Sequence, residues 1–323
     1  MKPLLVAAVL AFTVPCGLLA TPDTTDNPAS LPVKKVLVFT KSTGYEHMVI
    51  RDPAVTGRPL NKSGGNAVPG LAFEVLRAIG AKDNIDFTFS KDGSLFNAAY
   101  VLKFDAFLFY TTGDLTKVGT DGNPPMTPEG KDALLKAIDA GKGFIGLHSA
   151  SDSFHSPGGA EKTAPRFHAD GDNADPYVKM LGGEFMLHGA QQNSHLVVID
   201  PKFPGVSAVP ADNRIYEEWY SLKNFSSDLH VLLVQDTTGM TGNIYARPNY
   251  PSTWAHMYGK GRVFYTNLGH RDDMWNSALY QALLTGALNW AVGRVDADVT
   301  PNISTAAPGA STLPVYPDPT AAK

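Results

Sequence analysis

An alternation constrains this chain most. Three short apolar runs, "KKVLVFT" (34–40), "FDAFLFY" (104–110) and "GFIGLHS" (143–149), are separated by stretches with helical spacing. Apolar runs of this length, rich in branched and aromatic residues, suit buried strands. "LAFEVLRAIG" (71–80) reads as a helix that stops at Gly80, and "NIDFTFS" (84–90) alternates as a strand does. In "TPEGKDALLKAIDAG" (127–141), Thr127 caps a helix, Pro128 suits its first turn and Gly141 closes it. Strand, helix and strand repeated with short links predict an α/β fold, a mostly parallel sheet with helices on both faces.

The second half is less regular. "YVKMLGG" (177–183) reads as a short helix. "SHLVVID" (194–200), "HVLLVQD" (230–236), "STWAHMYG" (252–259) and "RVFYTNLG" (262–269) read as strands, the last two pairing as a hairpin. "SALYQALLTGALNWAVG" (277–293) is a long amphipathic helix that closes the domain.

The ends limit this domain to residues 34–293. Residues 1–20 carry Lys2, an apolar run from Leu4 to Phe12 and the small Ala20. That polarity predicts a signal peptide and a periplasmic or secreted protein; a first core helix is the alternative. The run is too short for a membrane span. Residues 21–33 read as a linker. The single cysteine, Cys16, lies inside the leader, where a lipoprotein signal is the minor alternative. Removal of the leader leaves no thiol, which excludes disulfides, a Cys nucleophile and a Cys-ligated metal. Residues 294–323, rich in Pro, Thr and Ala without periodicity, read as a disordered tail. The net charge of −4 comes without a basic block, so nucleic acid is not an expected partner.

The chain lacks G-x-S-x-G, H-E-x-x-H, the P-loop pattern and a strand-coupled G-x-G-x-x-G. It carries instead histidines and carboxylates at predicted strand ends, where open sheets bind ligands. His47 follows the first strand and Asp114 the third. His148 and Asp152 follow the fourth, and His270 the last long strand. His188 follows the Gly182-Gly183 pair. In "GFIGLHSA" (143–150), small residues surround a sharp strand-to-helix corner. Hydrolases place Ser or Cys at such a corner; here it is His148.

These residues amount to a resemblance. "VLVFTKSTGYEH" (36–47), "FDAFLFYTTGDLT" (104–116), "GKGFIGLHSASDSF" (141–154), "YVKMLGGEFMLHG" (177–189), "IYEEWYSL" (215–222) and "WAHMYGKGRVFYTNLGHRDDMW" (254–275) run in the order of the ThuA-like (trehalose utilisation) family. The resemblance implies a flavodoxin-like, class I glutamine amidotransferase-like fold. Its acidic-Glu-aromatic-Tyr motif stands here as Glu217, Glu218, Trp219 and Tyr220. The stretch between His155 and Tyr177, with His168, departs from the family pattern. Amidotransferase relatives keep a nucleophilic Cys at the corner. With His148 there, glutamine hydrolysis through a thioester is excluded, and an imidazole can serve as acid, base or metal ligand.

Candidate catalytic residues are therefore His148, His188, Glu218, His270, His47 and Asp152. Asp152 orients an imidazole or merely caps the following helix. Glu217 and Glu218 are neighbours and would face opposite ways on a strand, with Glu218 in the site and Glu217 solvated. Tyr45, Asp114, Trp219 and Tyr220 are candidate sugar contacts, with core packing the alternative for each aromatic. His47, His148 and His188 are candidate ligands for a divalent metal, although no local metal signature is present. His155, His168, His195, His230 and His256 are read as structural. The resemblance implies an exported enzyme of carbohydrate catabolism acting on 3-keto sugars or glycosides by His/Glu acid–base chemistry. The alternative is a non-catalytic sugar-binding or structural module.

Overall fold

The computed structural model describes residues 1, 31–51, 68–120, 122–159 and 164–315. The leader, Cys16 and most of the linker lie outside the described residues. In chain order the elements are β1 (Lys34–Phe39), α1 (Leu71–Asp83), β2 (Ile85–Ser90), α2 (Ala98–Val101), β3 (Ala106–Phe109), α3 (Pro128–Asp139), β4 (Gly143–Leu147) and α4 (Pro176–Leu181). There follow β5 (Glu184–His188), β6 (Gln192–Ser194), β7 (Leu196–Val198), β8 (Ile215–Glu217), β9 (Tyr220–Lys223) and β10 (His230–Gln235). The series ends with β11 (Tyr250–Tyr258), β12 (Gly261–Thr266), α5 (Asp272–Trp275), α6 (Ala278–Ala291) and α7 (Ile303–Ala306).

The main sheet runs β2-β1-β3-β4-β12-β11-β10-β7. The pairs from β2 to β12 are parallel, and those from β12 to β7 antiparallel. Side chains alternate across a strand, so β1 sends Val36 and Val38 into one core and Leu37 and Phe39 into the other. The first core holds the buried faces of α1 and α6; the second holds those of α3 and α4. The parallel arrangement brings the carboxyl ends of β1, β3, β4 and β12 to one edge.

Three expectations are corrected. First, α1 does not stop at Gly80 but runs to Asp83, ending on Asn84 in the left-handed region (φ 50°). Gly80 serves close packing instead: a Cβ there would meet the Ile85 carbonyl oxygen at 2.5 Å. Second, "SHLVVID" is split. Gln192–Ser194 pairs with β8, while Leu196–Val198 joins the main sheet. Third, residues 294–315 are not a disordered tail. Asn302 exchanges hydrogen bonds with Leu229 and Val231 at β10, Ala307 and Ala310 are buried, and Arg247 donates to the Ala310 carbonyl at 2.6 Å. The segment is held by backbone groups and small side chains, which leave no periodic pattern in a sequence.

Candidate active site

His148 directly follows β4 with φ +43°, a conformation rare for a side chain with a Cβ. The corner closes because Gly146 has no side chain; a Cβ there would meet Leu181 at 2.7 Å and Tyr265 at 3.1 Å. The His148 ring is fully buried and lies against Tyr220, with centroids 4.2 Å apart. Its Nδ1 is 2.9 Å from the Asn267 carbonyl oxygen. A carbonyl only accepts, so Nδ1 carries the proton and Nε2 turns to the site.

Two more imidazoles arrive from neighbouring strand ends. His47 ends the loop after β1, its centroid 5.0 Å from His148 and 5.1 Å from His270. His270 follows β12 through Gly269, at φ +115°. A Cβ on Gly269 would collide with the Tyr280 hydroxyl. The Gly269 carbonyl accepts from Tyr110 Oη at 3.0 Å and Trp275 Nε1 at 2.7 Å, which fixes the turn that presents His270.

Glu218, between β8 and β9, completes the group. Its Oε2 lies 3.5 Å from His148 Nε2 and 3.1 Å from His270 Nδ1; its Oε1 lies 3.3 Å from His188 Nδ1. One ligand-type atom from each of His47, His148, Glu218 and His270 falls within 4.8 Å of the others. His47 Nδ1, His148 Nε2 and His270 Nδ1 are buried without a hydrogen-bond partner among the described residues. The contacts of His148 and His270 to Glu218 thus have ion-pair distances without hydrogen-bond geometry.

Burial alone would raise the Glu218 carboxyl, but the facing His148 and His270 rings override it and hold it well below the usual carboxylate range. Burial would lower His270, but Glu218 and Glu217 raise it. Burial lowers both His47 and His148, and neighbouring imidazoles add to this. The arrangement therefore offers an ionised carboxylate, two neutral imidazoles and one imidazole that favours its proton.

The group opens into a cavity of about 440 Å³. Tyr45, Phe185, Leu187, His188 and Tyr220 form its walls; Thr112, Asp152 and Arg166 line the remainder. The structure brings His47, His188, Glu218, His270, Asp152, Tyr45 and Tyr220 to this cavity; His148 is fully buried and does not line it, but faces Glu218.

The other expected site residues have the following surroundings. Trp219 is fully buried and donates Nε1 to the Gln192 carbonyl, so it belongs to the core. Asp114 caps its own turn through Thr116 N and Oγ1, and is not among the cavity-lining residues. His188 is half-exposed and touches the outer oxygen of Glu218; in the four-residue group Glu218 and His270 stand where His188 was expected as a ligand. Asp152 does orient an imidazole, but that of His155 (Oδ1 to Nε2, 2.8 Å) rather than one of the central group. Glu217 is not solvated. It is fully buried, with Oε1 accepting from Glu218 N at 2.9 Å and Oε2 from Gly269 N at 3.2 Å, and burial pushes its carboxyl up to about 7. It braces the two backbone segments that present Glu218 and His270.

His155, Arg166, Phe185 and Asn267 were missed. Asn267 follows β12 in "TNLGH", and its proximity to His270 was the available signal. Arg166 lies in the stretch that departs from the family pattern, where nothing local marked it. His195, His230 and His256 bond backbone carbonyls away from the cavity, as structural histidines do.

A family model described as trehalose utilisation, ThuA, matches residues 35–291. The chain belongs to the ThuA family. Among solved structures it is similar to a ThuA-like protein of Bacteroides uniformis, with 19% identity and a TM-score of 0.56 over 81% of this chain and 93% of that one. It is also similar to a ThuA-like protein of Parabacteroides merdae, with 18% identity and a TM-score of 0.51 over 88% and 98%. At these identities the likeness concerns the fold. No curated protein matches the chain. The ThuA fold accounts for the placement of His148: it stands at the strand-end corner of an α/β sheet, where such sheets carry ligand-binding groups.

Proposed function

We propose that this ThuA family member is an enzyme of carbohydrate catabolism that acts on 3-keto sugars or their glycosides. One observation carries the reading: three imidazoles and a carboxylate converge, with ring nitrogens that have no hydrogen-bond partner among the described residues, and His47, His270 and Glu218 of this group line one cavity. A binding module needs aromatic and amide groups in its cleft but has no use for such a buried titratable cluster.

The chemistry suits these groups. A 3-keto group acidifies the C2 proton of the ring. The neutral His47 imidazole or the Glu218 carboxylate, both on the cavity wall, takes that proton, and the electron pair forms an enediolate with the C3 oxygen. The pair then returns to make the C1–C2 double bond as the C1–oxygen bond breaks. The leaving oxygen takes a proton from an acid such as His270. Water adds across the double bond, its hydroxyl to C1 and its proton to C2, and the freed 3-keto sugar results.

The same four residues fit a divalent metal. His148 Nδ1 is held by a carbonyl, the arrangement that orients a metal-ligating ring, and three buried nitrogens lack other partners. His47, His148, His270 and Glu218 would hold such an ion, whose positive charge would stabilise the enediolate oxygen.

The test is direct. Purified protein, with and without chelator, is incubated with native and 3-keto disaccharides, and products are followed by mass spectrometry. Release of a monosaccharide or an unsaturated keto sugar supports the proposal. Binding without any product would favour the sugar-binding module.

We also propose export, on the polarity of residues 1–20. N-terminal sequencing of exported protein should then begin near Thr21; an uncleaved cytosolic product would rule it out.

A further inference from the structure

Glu218 reaches the central group from the short link between β8 and β9, so the backbone on either side sets where its carboxylate falls. On one side the link is held by Glu217, whose Oε1 accepts from Glu218 N at 2.9 Å. On the other side it is held by Tyr245. The Tyr245 hydroxyl donates to the Trp219 carbonyl at 2.5 Å and accepts from Gly189 N at 2.9 Å.

That hydroxyl joins two strands where their own pairing stops. β5 and β9 run antiparallel, and their last matched residues are His188 and Tyr220. The next residues, Gly189 and Trp219, are linked through the phenol oxygen instead. Tyr245 therefore bridges the residue after His188 and the residue after Glu218. Gly189 admits the ring, since a Cβ there would meet Tyr245 Cε2 at 3.0 Å. The Gly189 carbonyl in turn accepts from His188 Nδ1 at 3.0 Å, and that nitrogen lies 3.3 Å from Glu218 Oε1. One hydroxyl thus holds the backbone of both partners in this contact.

Tyr245 is itself firmly placed. It is buried, and burial pushes its phenol up, so the hydroxyl keeps its proton and donates. It ends a short 3-10 turn, Asn243–Tyr245, whose Ile244 carbonyl accepts from Ser221 Oγ at 3.0 Å. Two residues on, Arg247 donates to the Leu222 carbonyl at 2.6 Å. Residues 244–247 are therefore bonded to the chain at Trp219, Ser221 and Leu222, directly after Glu218. Tyr245 is not among the cavity-lining residues, so any effect on the site passes through this backbone.

We propose that Tyr245 is a positioning residue for Glu218. Its hydroxyl fixes the peptide after Glu218, so that the carboxylate faces His148 and His270 and can join them on a metal ion. Hydrogen bonds outside a ligand set govern metal affinity in this way, because they orient the ligand before the ion arrives. The proposal rests on the metal reading above and adds to it a residue that cannot itself be a ligand there.

The test is zinc titration, read by competition with a chromophoric chelator, with and without the Glu218 carboxylate. Tyr245→Phe removes one oxygen and keeps the ring, so the variant should stay folded, which circular dichroism checks. It should weaken zinc by roughly 10-fold, the usual size of such an indirect effect. In a Glu218→Gln background the same change should weaken zinc by less than about 2-fold, because effects that pass through one residue are not additive. Gly189→Ala, which pushes the ring back but keeps the hydroxyl, is the second variant and should show the same dependence on Glu218. Cobalt(II) bound by Tyr245→Phe should give visible absorption bands displaced from those of the unmutated protein, a change that loss of stability alone does not produce. Unchanged zinc affinity in both variants, or an equal loss with and without the Glu218 carboxylate, would overturn the role of Tyr245 and leave the metal reading intact. An unmutated protein that binds neither zinc nor cobalt would overturn the metal reading, and this role with it.

Discussion

The Asn267 carbonyl accepts the Nδ1 proton of His148 at 2.9 Å, across the gap between the ends of β12 and β4. This contact fixes the tautomer of a buried ring and turns the Nε2 lone pair toward Glu218. A histidine thus held is prepared for proton transfer or metal ligation, and three predictions about the site start from it.

Replacement of His148 separates chemistry from folding. The left-handed strain at this corner is borne by any residue with a Cβ, so His148→Ala does not add to it. The variant loses one hydrogen bond and the packing on Tyr220, a cost of about 1–3 kcal/mol. Turnover should fall by roughly 10²-fold or more if the ring moves a proton in the limiting step. His148→Cys places a thiol at the corner without any partner to activate it and should gain no glutaminase activity. Urea unfolding and product assays check both; full turnover in a folded alanine variant would make the ring structural.

Metal binding should depend on the four-residue group and not on His188. Titration with zinc or manganese should reveal one strong site per chain. His270→Ala and Glu218→Gln should each weaken it by at least roughly 10-fold, with His188→Ala far less damaging. Binding should weaken as pH falls through the raised pKa of His270, which must lose its proton to ligate, whereas His47 and His148 are already neutral there. Equal losses in all three variants would remove the distinction between inner and outer histidines.

Asp114 provides the matching control. It caps its own turn and does not line the cavity. Asp114→Ala should cost about 1 kcal/mol of stability and leave turnover unchanged. A large loss of turnover at unchanged stability would return Asp114 to the site.

The sheet was legible because its signals are local: β-branched runs, a Thr127 cap, a terminal helix with a clear apolar face. The central group was legible because strand ends of a parallel sheet share an edge, so His47, His148 and His270 converge whatever the intervening chain does. The rest depends on tertiary context. Nothing local tells a buried Glu217 from a solvated one; its burial follows from bonds to Gly269 and to the Glu218 backbone. Trp219 and Tyr220 are adjacent and both buried, yet only Tyr220 lines the cavity, because neighbours on the chain face opposite ways. The segment after Arg294 misled through composition: Pro, Thr and Ala carry no apolar period, but the Asn302 side-chain amide bonds Val231 on β10 and its backbone N–H bonds Leu229 just before it, folding the segment back.

That last segment predicts a truncation effect. Removing residues from Asn302 onward strips Val231 N of its acceptor and Arg247 of the Ala310 carbonyl, and it uncovers the core under Ala307. Unsatisfied buried groups of this kind cost about 1–3 kcal/mol each. The shortened protein should unfold several degrees lower in a thermal scan. An unchanged midpoint would mean that the segment contributes nothing to the domain.

His155 makes the stability of the protein pH-dependent in a definite direction. Burial would lower its imidazole, but Asp152 at 2.8 Å and Glu184 at 3.1 Å override burial and lift it to about 9. A group whose pKa is raised by folding contributes stability that is fully present below its unfolded value, near 6.5. That contribution is lost as pH rises through about 9. The full contribution is on the order of 3 kcal/mol, shared with the two carboxylates that create it. His155→Gln keeps hydrogen-bonding groups and removes the titration. The unfolding free energy of the unmutated protein should therefore decline between pH 6.5 and 9, and that of the variant should stay flatter over the same range. The two curves should approach each other at the alkaline end, where His155 is neutral in both states. Curves that run parallel from pH 6 to 10 would show that the imidazole does not hold its proton between Asp152 and Glu184.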